Sequence, residues 1–162
     1  MKKVESALFR LSAGWTVVGL ASGLAYQELT RSSGFGGFTQ LAVVHTHTLV
    51  LGTVVGLLLL ALQRVYRLGE DRGFGWFVWF WTIGLVLTTG AMAVKGTLQV
   101  LGSAAAESPA LAGVSGLGHI VLTVGFVFVF LVLGRRIRDT QQESDPEQES
   151  DPEPATTQTV PA

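Results

Sequence analysis

The sequence predicts an all-α, polytopic membrane four-helix bundle followed by a disordered C-terminal tail. Hydrophobic residues make up 48% of the 162 residues, charged residues only 14%, and mean hydropathy is +0.45. An ordinary soluble domain carries about 25% charged residues. Four apolar stretches reach the roughly 20 residues that a helix needs to cross a bilayer, and they are too long for transmembrane strands. The predicted spans are residues 8–26, 40–62, 75–94 and 111–133.

The first span has the basic start and small-x-small pattern of a signal peptide, with Gly23-Leu24-Ala25 as a cleavage pattern. We interpret it as a retained helix, because the segment before its apolar core is long and contains Glu5. Glycines four residues apart recur in the first span (Gly19, Gly23) and in the second (Gly52, Gly56). Such spacing lets helices, or a flat ligand, approach closely.

Positive charge orients the predicted bundle. Lys and Arg are concentrated before the first span, between the second and third, and after the fourth, whereas the other two loops offer Arg31 and Lys95. Cytoplasmic loops carry such an excess, so we expect a bacterial plasma membrane protein with both termini in the cytoplasm. These basic residues form no stripe on one face, which gives nucleic-acid binding no support. The absence of cysteine excludes disulfides, zinc ribbons, iron–sulfur clusters and thiol nucleophiles.

The composition changes after Arg138. Residues 1–138 form the predicted four-span domain, whereas residues 139–162 carry seven acidic side chains and no basic one, with Glu-Ser-Asp-Pro-Glu occurring twice. Such a segment cannot bury enough apolar surface to offset its ordering entropy. We expect a disordered, acidic, cytoplasmic tail that acts as a solvated spacer.

All three histidines fall inside predicted spans: His45 and His47 in the second and His119 in the fourth. Ionisable side chains inside a membrane are costly and usually functional. Positions i and i+2 of a helix point about 200° apart, so His45 and His47 cannot hold one metal ion together. A helical zinc pair needs i, i+4 spacing, and the interiors of the spans contain no carboxylate base. A zinc hydrolase is therefore disfavoured.

A flat macrocycle fits the pattern better. His45, Gly52 and Gly56 fall within about 20° of one another on an ideal helix, and a glycine face beside an axial histidine leaves room for a porphyrin. His47 shares its face with an apolar wall, and His119 follows two glycines. Haem iron accepts imidazole as an axial ligand. A chain without cysteine would hold haem b without covalent attachment. Copper is an alternative metal for the histidines to bind.

Lys95 lies near the outer end of the third span. Its ammonium either extends to the outer headgroups or pairs with carboxylates, which would be the haem propionates or Glu28.

The runs at residues 39–52, 95–102 and 116–120 resemble an uncharacterised family of small four-helix bacterial membrane proteins, a domain of unknown function. The resemblance covers about residues 5–135; it implies four spans and brings no activity. His45-Thr46-His47 is also similar to the His-x-His of the haem–copper oxidase catalytic subunit. That resemblance implies two haems on opposite sides of one helix. Because that subunit has three four-helix arcs, it also implies a homotrimer of this chain. The oxidase's copper histidines and cross-linked tyrosine have no counterpart here.

We therefore expect a b-type haem-binding integral membrane protein for electron transfer or diatomic-gas binding, with cofactor contacts from His45, His47, His119, Gly52, Gly56 and Lys95. The alternative is a cofactor-free small transporter or assembly factor whose histidines handle protons or a metal ion. Within a monomer we expect His45 to pair only with His119, which leaves His47 facing lipid or another helix. In a cyclic homotrimer, His45 of one chain would meet His47 of the next across one haem. Substrate, redox partner and any catalytic residue are not indicated.

Overall fold

A computed structural model describes residues 2–143, and within that range it contains helices and connections but no strand. All four long helices are long and apolar enough to cross a membrane. The predicted all-α membrane fold class is thereby confirmed. The helices are α1 (Lys2–Ser32), α2 (Leu41–Tyr66), α3 (Arg72–Val100) and α4 (Pro109–Glu143). Helices α1, α3 and α4 extend beyond their predicted apolar stretches at both ends, and α2 begins at Leu41 and extends beyond its predicted stretch to Tyr66.

Helices α1 and α2 form one antiparallel pair through the predicted glycine spacing. A Cβ at Gly56 would collide with the Ser12 hydroxyl, and a Cβ at Gly52 would collide with the Trp15 side chain. Gly19 is similarly close to Leu49. These glycines therefore serve helix packing, with the neighbouring side chains filling the space that they leave.

Helices α3 and α4 form the second close pair. A Cβ at Gly84 would lie 2.7 Å from the backbone nitrogen of Leu122, and a Cβ at Gly118 would collide with the Thr88 hydroxyl. The two pairs meet through α2 and α3, where the Thr39 hydroxyl donates to the Gly96 carbonyl at 2.8 Å. The main buried cluster joins all four helices and consists of Leu8, Trp15, Leu59, Leu68, Phe74, Phe77, Trp81, Leu85, Leu122 and Val132.

Ion pairs tie the helices together at one end of the bundle, which we call the charged end. Arg64 of α2 pairs with Glu5 of α1 at 2.8 Å. The tight connection from α2 to α3 is bound to α4 by Arg135–Asp71 at 2.7 Å and by Arg136–Glu70 at 2.9 Å. The three histidines lie towards the opposite end, which we call the histidine end.

Helix α4 runs on to Glu143 instead of ending at Arg138. Arg136 pairs with Asp139 one helical turn further along, at 3.2 Å, and so stabilises this extension. The first residues of the predicted tail are therefore helical, and the remainder of that tail lies outside the described residues.

Candidate functional site

Two of the three histidines face each other across the seam between α2 and α4. The ring centroids of His47 and His119 are 6.5 Å apart and the ring planes are inclined at 79°. The two helices are not neighbours in the chain, and this contact brings their histidine ends together. We call these two side chains the imidazole pair.

Each ring of the imidazole pair is oriented by its own helix. Nδ1 of His47 lies 3.1 Å from the Val43 carbonyl oxygen, and Nδ1 of His119 lies 2.8 Å from the Ser115 carbonyl oxygen. A carbonyl can only accept, so each Nδ1 carries the proton and donates it. In the neutral tautomer with the proton on Nδ1, Nε2 carries the lone pair that binds a metal.

The imidazole pair lies at the surface of the bundle. His119 is exposed and His47 is half-buried. Gly116, one turn before His119, has open space where a Cβ would stand. On the same two helices, the apolar side chains of Val54 and Ile120 are 59% and 64% exposed. A ligand could therefore reach the imidazole pair from outside the bundle without entering the core.

His45 points into a different seam, as the i, i+2 spacing predicts. A Cβ at Gly23 of α1 would lie 3.6 Å from the Cβ of His45, so this ring is directed at α1. Nδ1 of His45 is buried without a hydrogen-bond partner among the described residues. The expectation that His45 pairs with His119 inside one chain is wrong, because His47 occupies that place and His45 faces the other way.

The glycine face below His45 does not form an open slot. Gly52 and Gly56 lie against Trp15 and Ser12 of α1. A porphyrin on that face would have to separate α1 from α2. The expectation of a haem cradle at Gly52 and Gly56 is therefore not met in the described chain, because α1 fills the space.

The backbone of α2 changes its winding directly after His47. Residues Thr48–Val54 form a π-helix, and the Val55 amide donates to the carbonyl of Val50, five residues earlier. Wide turns of this kind often occur at functional sites. The π-helix was missed by the sequence analysis, because apolar periodicity over so short a segment cannot reveal one extra residue per turn.

An indole from α3 supports the π-helix. Nε1 of Trp81 donates to the carbonyl of Leu51 at 3.2 Å. The same ring packs edge-on against Phe126 of α4, with centroids 4.6 Å apart. Trp81 thus contacts both helices that carry the imidazole pair, although no sequence signal distinguishes it from the other tryptophans.

Lys95 lies half-buried near the histidine end of α3. Glu28 is exposed, and within residues 2–143 the two side chains form no ion pair. The structure therefore does not bring Lys95 and Glu28 together, and the ammonium remains available to another anion or to the headgroup region.

The donor set is small. Within the described part of the chain, no group of three or more His, Asp or Glu side chains is placed to hold a metal ion. A tetrahedral zinc site needs three or four protein ligands. The imidazole pair supplies two nitrogens, which suits a metal that brings its remaining ligands with it.

Comparison with known proteins places the chain in a family. No curated protein and no solved structure matches it, and none of the comparisons links it to the haem–copper oxidases. The family model described as "Protein of unknown function (DUF2871)" matches residues 1–136, which is the whole four-helix region up to the arginines that end the fourth span. The chain therefore belongs to this family.

Proposed function

We propose that the protein is a b-type haem-binding integral membrane protein that transfers electrons, with His47 and His119 of one chain as the axial ligands. The observation that carries the proposal is the separation of the imidazole pair. Two metal–nitrogen bonds of roughly 2 Å each, with the distance from each nitrogen to its ring centre, separate coaxial imidazole centroids by about 6.2 Å. The observed separation is 6.5 Å.

The donor set supports haem over a bare metal ion. Porphyrin supplies four nitrogens to iron, so two axial imidazoles complete its coordination. Both rings of the imidazole pair donate Nδ1–H to backbone carbonyls, so Nε2 is the nitrogen that would bind iron. The apolar surface around them would hold the macrocycle edge away from water, and a dry surrounding tunes the redox potential.

Two axial histidines favour electron transfer over gas binding. A diatomic gas needs an open coordination position, and a bis-histidine iron has none. His47 and His119 would hold the haem in one ligand set, and the haem would supply one-electron redox chemistry there. Lys95, with no ion pair in the described chain, is the proposed partner of a propionate.

We place the protein in the bacterial plasma membrane with both termini in the cytoplasm. The support is the clustering of Lys and Arg at the charged end. The imidazole pair would then lie in the outer half of the bilayer, where it could exchange electrons with a carrier at the outer surface.

The test is to purify the protein with added haem and to compare three alanine variants. The wild type should hold one haem per chain with the optical spectrum of low-spin bis-histidine iron. His47→Ala and His119→Ala should each lose that low-spin spectrum. His45→Ala is the matched control, because His45 faces α1, and it should keep the spectrum. Equal losses in His45→Ala and His47→Ala, with His119→Ala unchanged, would instead select the ligand-sharing homotrimer.

The second candidate is metal-ion handling without haem. Imidazole also binds copper, and the two rings lie 6.5 Å apart across one seam. A colourless protein that binds one copper ion per chain, and loses it in both His47→Ala and His119→Ala, would replace haem by copper and favour an assembly or transport role.

A further inference from the structure

A cleft opens between α1 and α2 at the charged end, far along the bundle from the imidazole pair. Its volume is about 1020 Å³. Three cationic side chains and one carboxylate line it, so it carries an excess of two positive charges. The lining residues are Lys3, Glu5, Ser6, Phe9, Arg10, Leu60 and Arg64.

Two of the three cations lie along one face of α1. Lys3 and Arg10 are seven residues apart, which is about two turns and about 10 Å. Nε of Arg10 donates to the Ser6 carbonyl at 3.2 Å. This bond turns the guanidinium back towards the start of α1, the direction in which a cation near a helix end extends to reach the headgroups.

The third cation comes from α2. Nε of Arg64 lies 2.8 Å from Oε1 of Glu5. The Glu5 carboxylate is largely covered, whereas the Arg64 side chain is 70% exposed. The ion pair holds the guanidinium at the edge of the cleft and leaves two positive charges in excess.

The cleft is also partly apolar. Phe9 is 59% exposed and Leu60 is half-buried, and both lie within the lining. An aromatic ring and an aliphatic side chain beside three cations suit a ligand with a phosphate group and a hydrocarbon chain. A soluble phosphate would use only the cations.

We propose that this cleft binds the headgroup of an anionic phospholipid. Lys3, Arg10 and Arg64 would contact the phosphate, and Phe9 and Leu60 would contact the first part of an acyl chain. Basic pockets between transmembrane helices recognise anionic headgroups in this way. The site is independent of the haem proposal, since it uses different residues at the other end of the bundle.

The test is to titrate the purified full chain in detergent with phosphatidylglycerol and with phosphatidylcholine, and to count bound lipids by native mass spectrometry. Phosphatidylglycerol should bind at one site, and Lys3→Gln combined with Arg10→Gln should weaken it about 25-fold, roughly fivefold for each charge removed. Arg138→Gln is the matched control, because it removes a cation of the charged end that lies outside the cleft. It should bind phosphatidylglycerol like the wild type.

Three outcomes would overturn the proposal. Equal binding of the two lipids would show that charge does not select the ligand. Equal weakening in the Arg138→Gln control would show a general surface effect. Complete displacement of phosphatidylglycerol by millimolar glycerol 3-phosphate would show a site for a soluble phosphate. Circular dichroism of each variant shows that the helices are retained, so that lost binding reflects the lost charges.

Discussion

Trp81 joins the buried cluster to the backbone of α2. Its indole Nε1–H donates to the Leu51 carbonyl inside the π-helix, and its ring contacts Phe126 of α4. A buried carbonyl that loses its donor costs roughly 1–3 kcal/mol. This residue therefore supports the wide turn that begins directly after His47.

We expect Trp81→Phe to lower the free energy of unfolding by about 1–3 kcal/mol and to broaden the spectrum of bound haem, because the π-helix next to His47 loses its outside donor. Thermal unfolding in detergent and haem spectroscopy measure the two effects. Trp79→Phe is the matched control, since Trp79 is 66% exposed on the same helix. Identical results for the two variants would contradict the role assigned to Trp81.

The histidines show what single residues reveal and what they conceal. Their places in the spans and the opposite directions of His45 and His47 follow from hydropathy and helical spacing alone. The partner of His119 does not, because it depends on how α2 and α4, which are not consecutive, meet. The structure selects His47, and with that the premise that His47 lacks a partner inside one chain no longer supports a homotrimer.

At the scale of elements, the start of α3 is held both by its own cap and by an arginine of α4. Asp71 caps the helix by accepting from the Gly73 amide at 2.7 Å. Arg135 of α4 holds both carboxylate oxygens, at 2.7 and 3.0 Å. The hydrogen bond from Arg135 holds the pKa of the Asp71 carboxyl below its usual value, and the Gly73 amide adds to this effect.

This arrangement predicts a pH dependence. A carboxyl whose pKa is lowered by folding stabilises the fold above its unfolded pKa of about 3.9, and that contribution disappears as pH falls through the lowered folded value. Asp71→Asn should therefore unfold at a lower temperature than the wild type at pH 6, and the difference should shrink below about pH 4. Thermal unfolding from pH 6 to pH 2.5 measures it.

The control for that experiment is Asp139→Asn, which removes a carboxylate with an exposed side chain near the end of α4. It should change the unfolding temperature little at any pH, because exposed ion pairs contribute little. A difference between Asp71→Asn and wild type that stays constant down to pH 2.5 would show that the carboxylate charge is not responsible.

The helix pairs were partly predictable. Glycines four residues apart in the first two spans indicated a close seam, and Gly19, Gly52 and Gly56 lie in the contact between α1 and α2. The contact between α3 and α4 has no such spacing in α3, where Gly84 and Thr88 share the seam with Gly118. A threonine can stand in such a close seam only where the opposite helix has a glycine, as Gly118 lies opposite Thr88. A single sequence does not show which residues face each other.

At the scale of the whole molecule, the four helices alternate in direction, so every second connection lies at the same end of the bundle. The two ends differ in chemistry. The charged end holds the four ion pairs within residues 2–143, and the histidine end holds the imidazole pair and Lys95. Hydropathy predicted the number of helices. Which helices pack against each other could be learned only from their contacts in the structure.

The basic residues also predict which side of the membrane each end of the bundle faces. A reporter enzyme that works only in the cytoplasm should be active when it is fused after Arg138, because Lys and Arg are concentrated at the ends of the spans on that side. A matched fusion in the connection between α1 and α2, near Gly36, should show the opposite preference. Periplasmic activity of the first fusion would invert the bundle and move the imidazole pair to the inner half.

The π-helix also bears on how the chain could tolerate a change in length. An ordinary helix fixes every residue's direction relative to its neighbours at about 100° per position, so losing one residue turns everything beyond it. The wide turns at Thr48–Val54 hold a surplus residue, and a one-codon deletion there could be absorbed by a return to α-helical bonding. The half of α2 that follows would keep its contacts with α1 and α3. The half that precedes would also keep its direction, so His47 would still meet His119. The same deletion within the ordinary helix Val55–Tyr66 would instead turn one half of α2 against the other by about 100°.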